Sequence, residues 1–186
     1  MLEGTVIYEG KVGEVDVLIR HCMRTDVERL LEFINTLSRE QTYIIFQGEQ
    51  MTLEEESRYV EGFLKKAEDK KAIKLLAFHN EELIGVADIT PKERAESHIG
   101  VFGLTIKKEW RGKGIGSFLM QKVLEEAEKN IKGMKMITLG VYATNPVAKN
   151  LYLKMGFSIY GMLPKGLIRK GELVDHIYMY KLVNEL

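Results

Sequence analysis

The chain has 186 residues, 45% of them hydrophobic and 29% charged, which suits one folded domain with its own core rather than a disordered segment. Its 27 basic and 27 acidic side chains cancel, so no dominant nucleic-acid footprint is expected. No apolar run approaches the ~18 residues a membrane span needs, so no membrane partner is expected either. The opening MLEGTVIYEGKVGE carries acids early and lacks a basic-then-apolar leader, so the cytoplasm is the expected compartment. Cys22 is the only cysteine, which excludes an internal disulfide and gives no support for a metal site; no metal is expected.

In chain order, Val15, Val17 and Ile19 alternate with Asp16, Leu18 and Arg20, a strand pattern. Thr25-Asp26-Val27-Glu28 has the form of a capping box, followed by Leu30, Leu31, Ile34 and Leu37 at helical spacing. Residues 39–51 have no clear period and read as a loop or short helix. Thr52-Leu53-Glu54-Glu55 is a second capping box and predicts a helix to about Asp69. Residues 72–90 read as two strands joined by a turn at Asn80-Glu81-Glu82, and residues 98–106 as a further strand. A helix is expected from about Gly114 to Asn130, with Ile115, Phe118, Leu119, Val123 and Ala127 on one face. Residues 136–142 form a strand pattern, and Asn145 and Pro146 mark the N-cap and first position of another helix. FSIYGML and HIYMYKL are expected as final strands around a polar loop, 164–174. Hairpins beside a strand–helix–strand crossover argue for a single α/β or α+β layer domain over residues 1–186.

The glycines of KEWRGKGIGSFLM stand where a strand hands over to a helix. The dinucleotide fingerprint fails, because its third glycine falls on Ser117, and no Gly-Lys-Ser/Thr phosphate loop occurs. What remains is a helix N-terminus whose unpaired N–H groups an anion reaches past glycines without a Cβ. Arg111 and Lys113 add positive donors there.

The string Arg111-Gly112-Lys113-Gly114-Ile115-Gly116 resembles the Arg/Gln-x-x-Gly-x-Gly/Ala motif of the GCN5-related N-acetyltransferase (GNAT) superfamily. Residues 145–157, NPVAKNLYLKMGF, resemble that family's Asn-x-x-Ala-x-x-Leu-Tyr-x-Lys-x-Gly-Phe segment, in the expected order and separation. The similarity extends loosely from Val15 to Leu182 and is closest from His98 to Phe157. HIGVFGLTI and GELVDHIYM further resemble bacterial and archaeal members that acetylate amino acids, amines or amino-terminal residues.

The resemblance implies a mixed, mostly antiparallel sheet with one splayed parallel pair, residues 98–106 and 136–142, and helices on both faces. It implies direct transfer of an acetyl group from acetyl-CoA to a primary amine. Leu104, Thr105 and Ile106 would meet the cofactor's pantetheine arm through backbone groups. Arg111, Gly112, Lys113, Gly114, Ile115, Gly116 and Ser117 would hold its diphosphate. Asn145, besides capping its helix, would contact the arm. Tyr152 would face the sulfur as general acid, and His98, with Glu96 just before it, is the strand's titratable candidate for general base; Asp88 and Asp175 are weaker ones. Tyr43, Ile44, Ile45 and Phe46 would wall the acceptor side, with Glu40 or Glu49 attracting an amine. A small-molecule or peptide amine acceptor, a protein amino terminus or lysine, and a non-catalytic CoA-binding role all stay open, as does homodimer formation.

Overall fold

In a computed structural model, residues 2–69 and 71–183 are described. The strands are β1 (Val6–Val12), β2 (Val15–His21), β3 (Ile73–His79), β4 (Glu82–Pro91), β5 (Ile99–Ile106), β6 (Met136–Tyr142), β7 (Ser158–Arg169) and β8 (Glu172–Leu182). The helices are α1 (Val27–Arg39), α2 (Leu53–Glu68), α3 (Ile115–Asn130) and α4 (Pro146–Lys154). The strands form one eight-stranded sheet in the order β1-β2-β3-β4-β5-β6-β8-β7. Its pairs are antiparallel except β5–β6, which the α3 crossover makes parallel.

Period-two alternation divides the core into two. Ile73, Leu75, Ala87, Ile89, Ile137 and Leu139 pack against α3 and α4 with Leu119, Val123 and Tyr152. Leu76, Phe78 and Val86 pack on the other face against Leu30, Phe33 and Leu37 of α1 and Val60 and Leu64 of α2. No helix among the described residues is long and apolar enough to cross a membrane.

Local chemistry explains where the elements begin. At α2 the Thr52 hydroxyl accepts from the Glu55 N–H (3.3 Å) and the Glu55 carboxylate accepts from the Thr52 N–H (2.8 Å), the expected reciprocal box. The expected box at Thr25–Glu28 does not form. Thr25 lies in a 3₁₀ turn, Arg24–Asp26, and Asp26 is fully buried. Its carboxylate accepts two 2.7 Å bonds from the Arg20 guanidinium and one from the Met23 N–H, so the chain is fixed by a strand–turn ion pair instead of a hydroxyl cap.

Two further departures have physical causes. β1, an edge strand of mixed polarity, carries too weak an alternation to be read from sequence. The expected polar loop 164–174 is largely a continuation of the final hairpin: β7 and β8 pair as far as Arg169–Glu172, with Lys170 and Gly171 both at positive φ (51° and 81°) in the turn. β7 closes the sheet at an edge and buries no full face, so its polar residues hide a strand.

Candidate active site

β5 and β6 pair only over Ile99–Met136, Gly100–Ile137 and Val101–Thr138. Both strands then run on, β5 to Ile106 alongside β4 and β6 to Tyr142 alongside β8. The parallel pair therefore opens toward its C-terminal ends, and backbone groups lining the opening lack a ladder partner on that side. Leu104, Thr105 and Ile106 lie on the β5 lip of the opening.

Immediately beyond, a short 3₁₀ turn (Lys108–Trp110) leads to the glycine run. Gly112 and Gly114 have φ of 77° and 83°, a left-handed conformation that favours glycine, and they turn the chain into α3. No side chain caps α3, and Arg111, Gly112, Lys113, Gly114 and Ser117 are exposed. Gly116 sits in the first turn, where a Cβ would lie 3.5 Å from Ile106 and 3.9 Å from Leu104. The bare N–H groups of residues 114–117 thus face outward beside the end of β5, and a Cβ at Gly116 would narrow that space. This arrangement fits a diphosphate with an extended arm entering the opened pair.

Side chains around the turn are already engaged. Arg111 donates from Nε to the Ile106 carbonyl and from its guanidinium to Glu40 at the end of α1, each at 2.8 Å. Lys113 places its ammonium 4.8 Å from the centre of the Trp110 ring. Ile115 is buried in the core, so only its backbone is available to a ligand. Asn145 caps α4 by accepting from the Ala148 N–H at 3.1 Å.

Tyr152 projects from α4 into the core beside the opening, 7% exposed, between Phe102 of β5 and Phe157. Burial pushes its phenol up to about 12, so it stays protonated over the working range of an enzyme and is a hydrogen-bond donor there. His98 stands outside this site. It is exposed, immediately before β5, where its carbonyl accepts from the Lys135 and Met136 N–H groups. At ~3.3 Å per residue it lies about 20 Å along the strand from Leu104, at the closed end of the pair. Glu96 is likewise exposed, paired with Lys92 at 2.6 Å. Sequence placed a histidine on the right strand, but the end of the strand that opens is a tertiary property.

On the sheet face carrying α1 and α2, a cavity of about 290 Å³ reaches the β5 lip at Gly103, Leu104 and Thr105. Ile34, Ile45, Phe46 and Met51 give it an apolar wall. Its polar side is Glu56, Tyr59, Lys74 and Asp88, a group sequence reading named only through Asp88. The Lys74 ammonium, donated by β3, is buried, donates to the Tyr59 hydroxyl at 2.9 Å and lies 3.6 Å from the Asp88 carboxylate. Burial opposes its charge, but Asp88 and Tyr59 outweigh that cost and hold its pKa above the usual lysine value. Burial raises the pKa of Glu56, with Lys74 opposing.

Of the expected acceptor residues, Ile45 and Phe46 line the cavity, whereas Tyr43 and Ile44 anchor their loop to the sheet. The Tyr43 hydroxyl donates to the Thr144 carbonyl, and the Tyr142 hydroxyl to the Ile44 carbonyl, both at 2.8 Å. Glu40 and Glu49 do not line the cavity: Glu40 holds Arg111, and Glu49 accepts from the Gln47 N–H. Asp175 accepts from the Lys165 N–H on β7. Among the described residues no cluster of three or more His, Cys, Asp or Glu is placed to hold a metal ion.

The profile of the acetyltransferase (GNAT) family matches residues 31–157. An L-amino acid N-acetyltransferase of Escherichia coli is 33% identical over 113 residues, 60% of this chain and 69% of that protein. The crystal structure of a GNAT-family acetyltransferase from Streptococcus pneumoniae superposes with a TM-score of 0.81 at 30% identity, covering 90% of this chain and 99% of that one. A phosphinothricin acetyltransferase from Sinorhizobium meliloti, solved with acetyl-CoA, has the same fold, with a TM-score of 0.78 at 15% identity over 90% of this chain and 88% of that one.

Proposed function

The chain belongs to the acetyltransferase (GNAT) family, and on that premise we propose that its acceptor is a primary amine on an apolar body of amino-acid size, bound in the cavity beside Asp88. It is an acetyl-CoA-dependent N-acetyltransferase. Acetyl-CoA supplies the acetyl group as a thioester. The uncapped first turn of α3, with Arg111 and Lys113 beside it, is the proposed seat of the diphosphate, and Leu104 to Ile106 that of the pantetheine arm. Asn145, fixed by its cap, is proposed to touch the same arm. Tyr152 is the proposed donor to the departing sulfur: its aromatic neighbours fix the ring, and its burial keeps the phenol protonated.

The single observation that carries the acceptor is the cavity. An apolar wall faces Asp88, a carboxylate within reach of the β5 lip and suited to a substrate ammonium. The loop that walls it is tied down by Gln47, whose amide donates to the Thr42, Ile44 and Phe46 carbonyls, and by Asn35, which brackets Met51. Such a closed wall favours a small acceptor over an extended peptide. The buried free thiol of Cys22 is in keeping with the cytoplasm as compartment.

The test is thiol release with apolar amino acids, polar amino acids, alkylamines and amino-terminal peptides as acceptors. Apolar amino acids or compact aryl and alkyl amines are expected to give the highest kcat/KM, and Asp88→Asn is expected to raise their KM. Turnover confined to peptides would overturn the small acceptor. Intact CoA binding without turnover on any amine would favour a non-catalytic CoA-binding role.

A further inference from the structure

Two glycines face each other across the opened strand pair. Continuing two residues past the last paired positions, Val101 and Thr138, brings β5 to Gly103 and β6 to Gly140. Both lie on the α1/α2 face, because side chains alternate and Phe102 and Leu139 point into the opposite core. Each glycine makes room for a titratable side chain from the next strand outward. Over Gly103 lies the Asp88 carboxylate of β4, whose Oδ1 is 3.3 Å from where a Cβ would stand. Over Gly140 lies His176 of β8, and a Cβ on Gly140 would overlap its Nε2. His176 is paired in register with Tyr142, so its imidazole leans back along β6 toward the opening with the Nε2 end foremost.

We propose that His176 is the base of the acetyl transfer, its Nε2 taking a proton from the acceptor ammonium that Asp88 holds across the opened strands. This rests on the family assignment and on the acceptor cavity described above. The two groups divide the work by their partners. Asp88 is already ion-paired with Lys74 and supplies a fixed negative charge. Neither ring nitrogen of His176 is hydrogen-bonded among the described residues. Tyr142 stands opposite it on β6, Leu163 and Gly166 lie against it from β7, and Tyr178 stacks on it along β8 at 4.3 Å between ring centres. Burial alone shifts its pKa, downward, so it is neutral and free to accept a proton near pH 7.

The balance is simple. Nε2 takes one proton from the ammonium and later releases it to water. The freed lone pair forms the C–N bond to the acetyl carbon while the C–S bond breaks with its pair going to sulfur. A second proton leaves the nitrogen and one is gained at sulfur, so ammonium and thioester yield amide, thiol and one proton.

The experiment uses the full chain with acetyl-CoA and the best amine of the acceptor panel. At pH 7, His176→Ala and His176→Gln are expected to lose roughly 100-fold or more in kcat, as removal of a general base does. Their KM for acetyl-CoA is expected within about threefold of the parent, the spread of context-dependent effects at a site not touched. The loss is expected to shrink above pH 9, where the amine deprotonates unaided, and imidazole is expected to restore His176→Ala but not His176→Gln. Gly140→Ala, which keeps the imidazole but displaces it, is expected to lose kcat in the same way. Without acetyl-CoA, NMR of the His176 ring in the parent protein is expected to shift when the amine is added. Unchanged kcat in folded His176 variants, a loss that neither high pH nor imidazole relieves, or no change in the ring signals with saturating amine would each overturn the proposal. Parent turnover measured in parallel separates that failure from failure of the acetyltransferase assignment.

Discussion

Gly116→Ala should raise stability and keep cofactor affinity, whereas Gly116→Leu should lower cofactor affinity. Gly116 is helical, in the first turn of α3, and a Cβ there would meet Ile106 at 3.5 Å and Leu104 at 3.9 Å, ordinary contact distances. Replacing a helical glycine by alanine removes backbone freedom from the unfolded chain and gains about 0.5–1 kcal/mol. For a chain of this size that corresponds to roughly 1–4 °C in Tm. Alanine also satisfies the Gly/Ala position of the family motif, so a single methyl should leave CoA affinity nearly unchanged, whereas the leucine side chain of Gly116→Leu would intrude where the first-turn N–H groups are proposed to meet the diphosphate. Loss of one charge-assisted hydrogen bond there costs about 1.5–3 kcal/mol, or roughly 10- to 150-fold in Kd. Calorimetric titration of CoA beside thermal unfolding reads both effects in each variant. A folded Gly116→Leu variant that binds CoA as tightly as the parent would show that the diphosphate does not rest on this turn. Gly114→Ala is a poorer probe, because φ of 83° at that position would add backbone strain and confuse affinity with folding.

Three other perturbations are decided by the same structure. Tyr152→Phe keeps the packing against Phe102 and Phe157 and removes only the donor, so kcat should fall about 10- to 100-fold with CoA affinity nearly unchanged; equal kcat in rapid-mixing assays would exclude the phenol from the chemistry. Asp26→Ala strands the buried Arg20 guanidinium and should cost about 3–5 kcal/mol in urea unfolding, and a cost below 1 kcal/mol would show that Arg20 finds water or another acceptor. Alkaline stability should fall from pH 9 upward. Burial lifts Cys22 from 9.0 to about 12 and Tyr152 from 10.0 to about 12, so both stay protonated when folded and ionise once unfolded. Their protonated forms stabilise the fold fully below pH 9, and about 4 and 3 kcal/mol respectively drain away as pH rises toward 12. Urea midpoints of Cys22→Ala should fall less steeply between pH 9 and 10 than those of the parent; parallel slopes would contradict the burial of that thiol.

Much of this protein is determined by local chemistry that sequence displays directly. The Thr52–Glu55 box, the Asn145-Pro146 helix start and the left-handed glycines before α3 each depend on residues within a few positions, and each stands where the sequence places it. The same locality makes the proposed donor side legible, because a helix N-terminus and its glycines form one contiguous stretch. The proposed acceptor side is assembled from afar. Lys74, Asp88, Glu56 and Phe46 meet across β3, β4, α2 and a loop, and no spacing along the chain reports that meeting. His98 illustrates the limit: it precedes the correct strand, yet the pair is closed where it lies and open six residues on. His176 lies far along the chain from Asp88, and only the sheet order, with β6 and β8 adjacent and β5 parted from β6, brings both to the same opening. Sequence by itself therefore determined the helices, the caps of α2 and α4 and the glycine turn before α3, which short-range hydrogen bonds and backbone conformation decide, while the start of α1 was settled by the Arg20–Asp26 ion pair instead. Strand order, the site of the parting and the side chains leaning over it belong to long-range pairing, and the tertiary structure alone decided them.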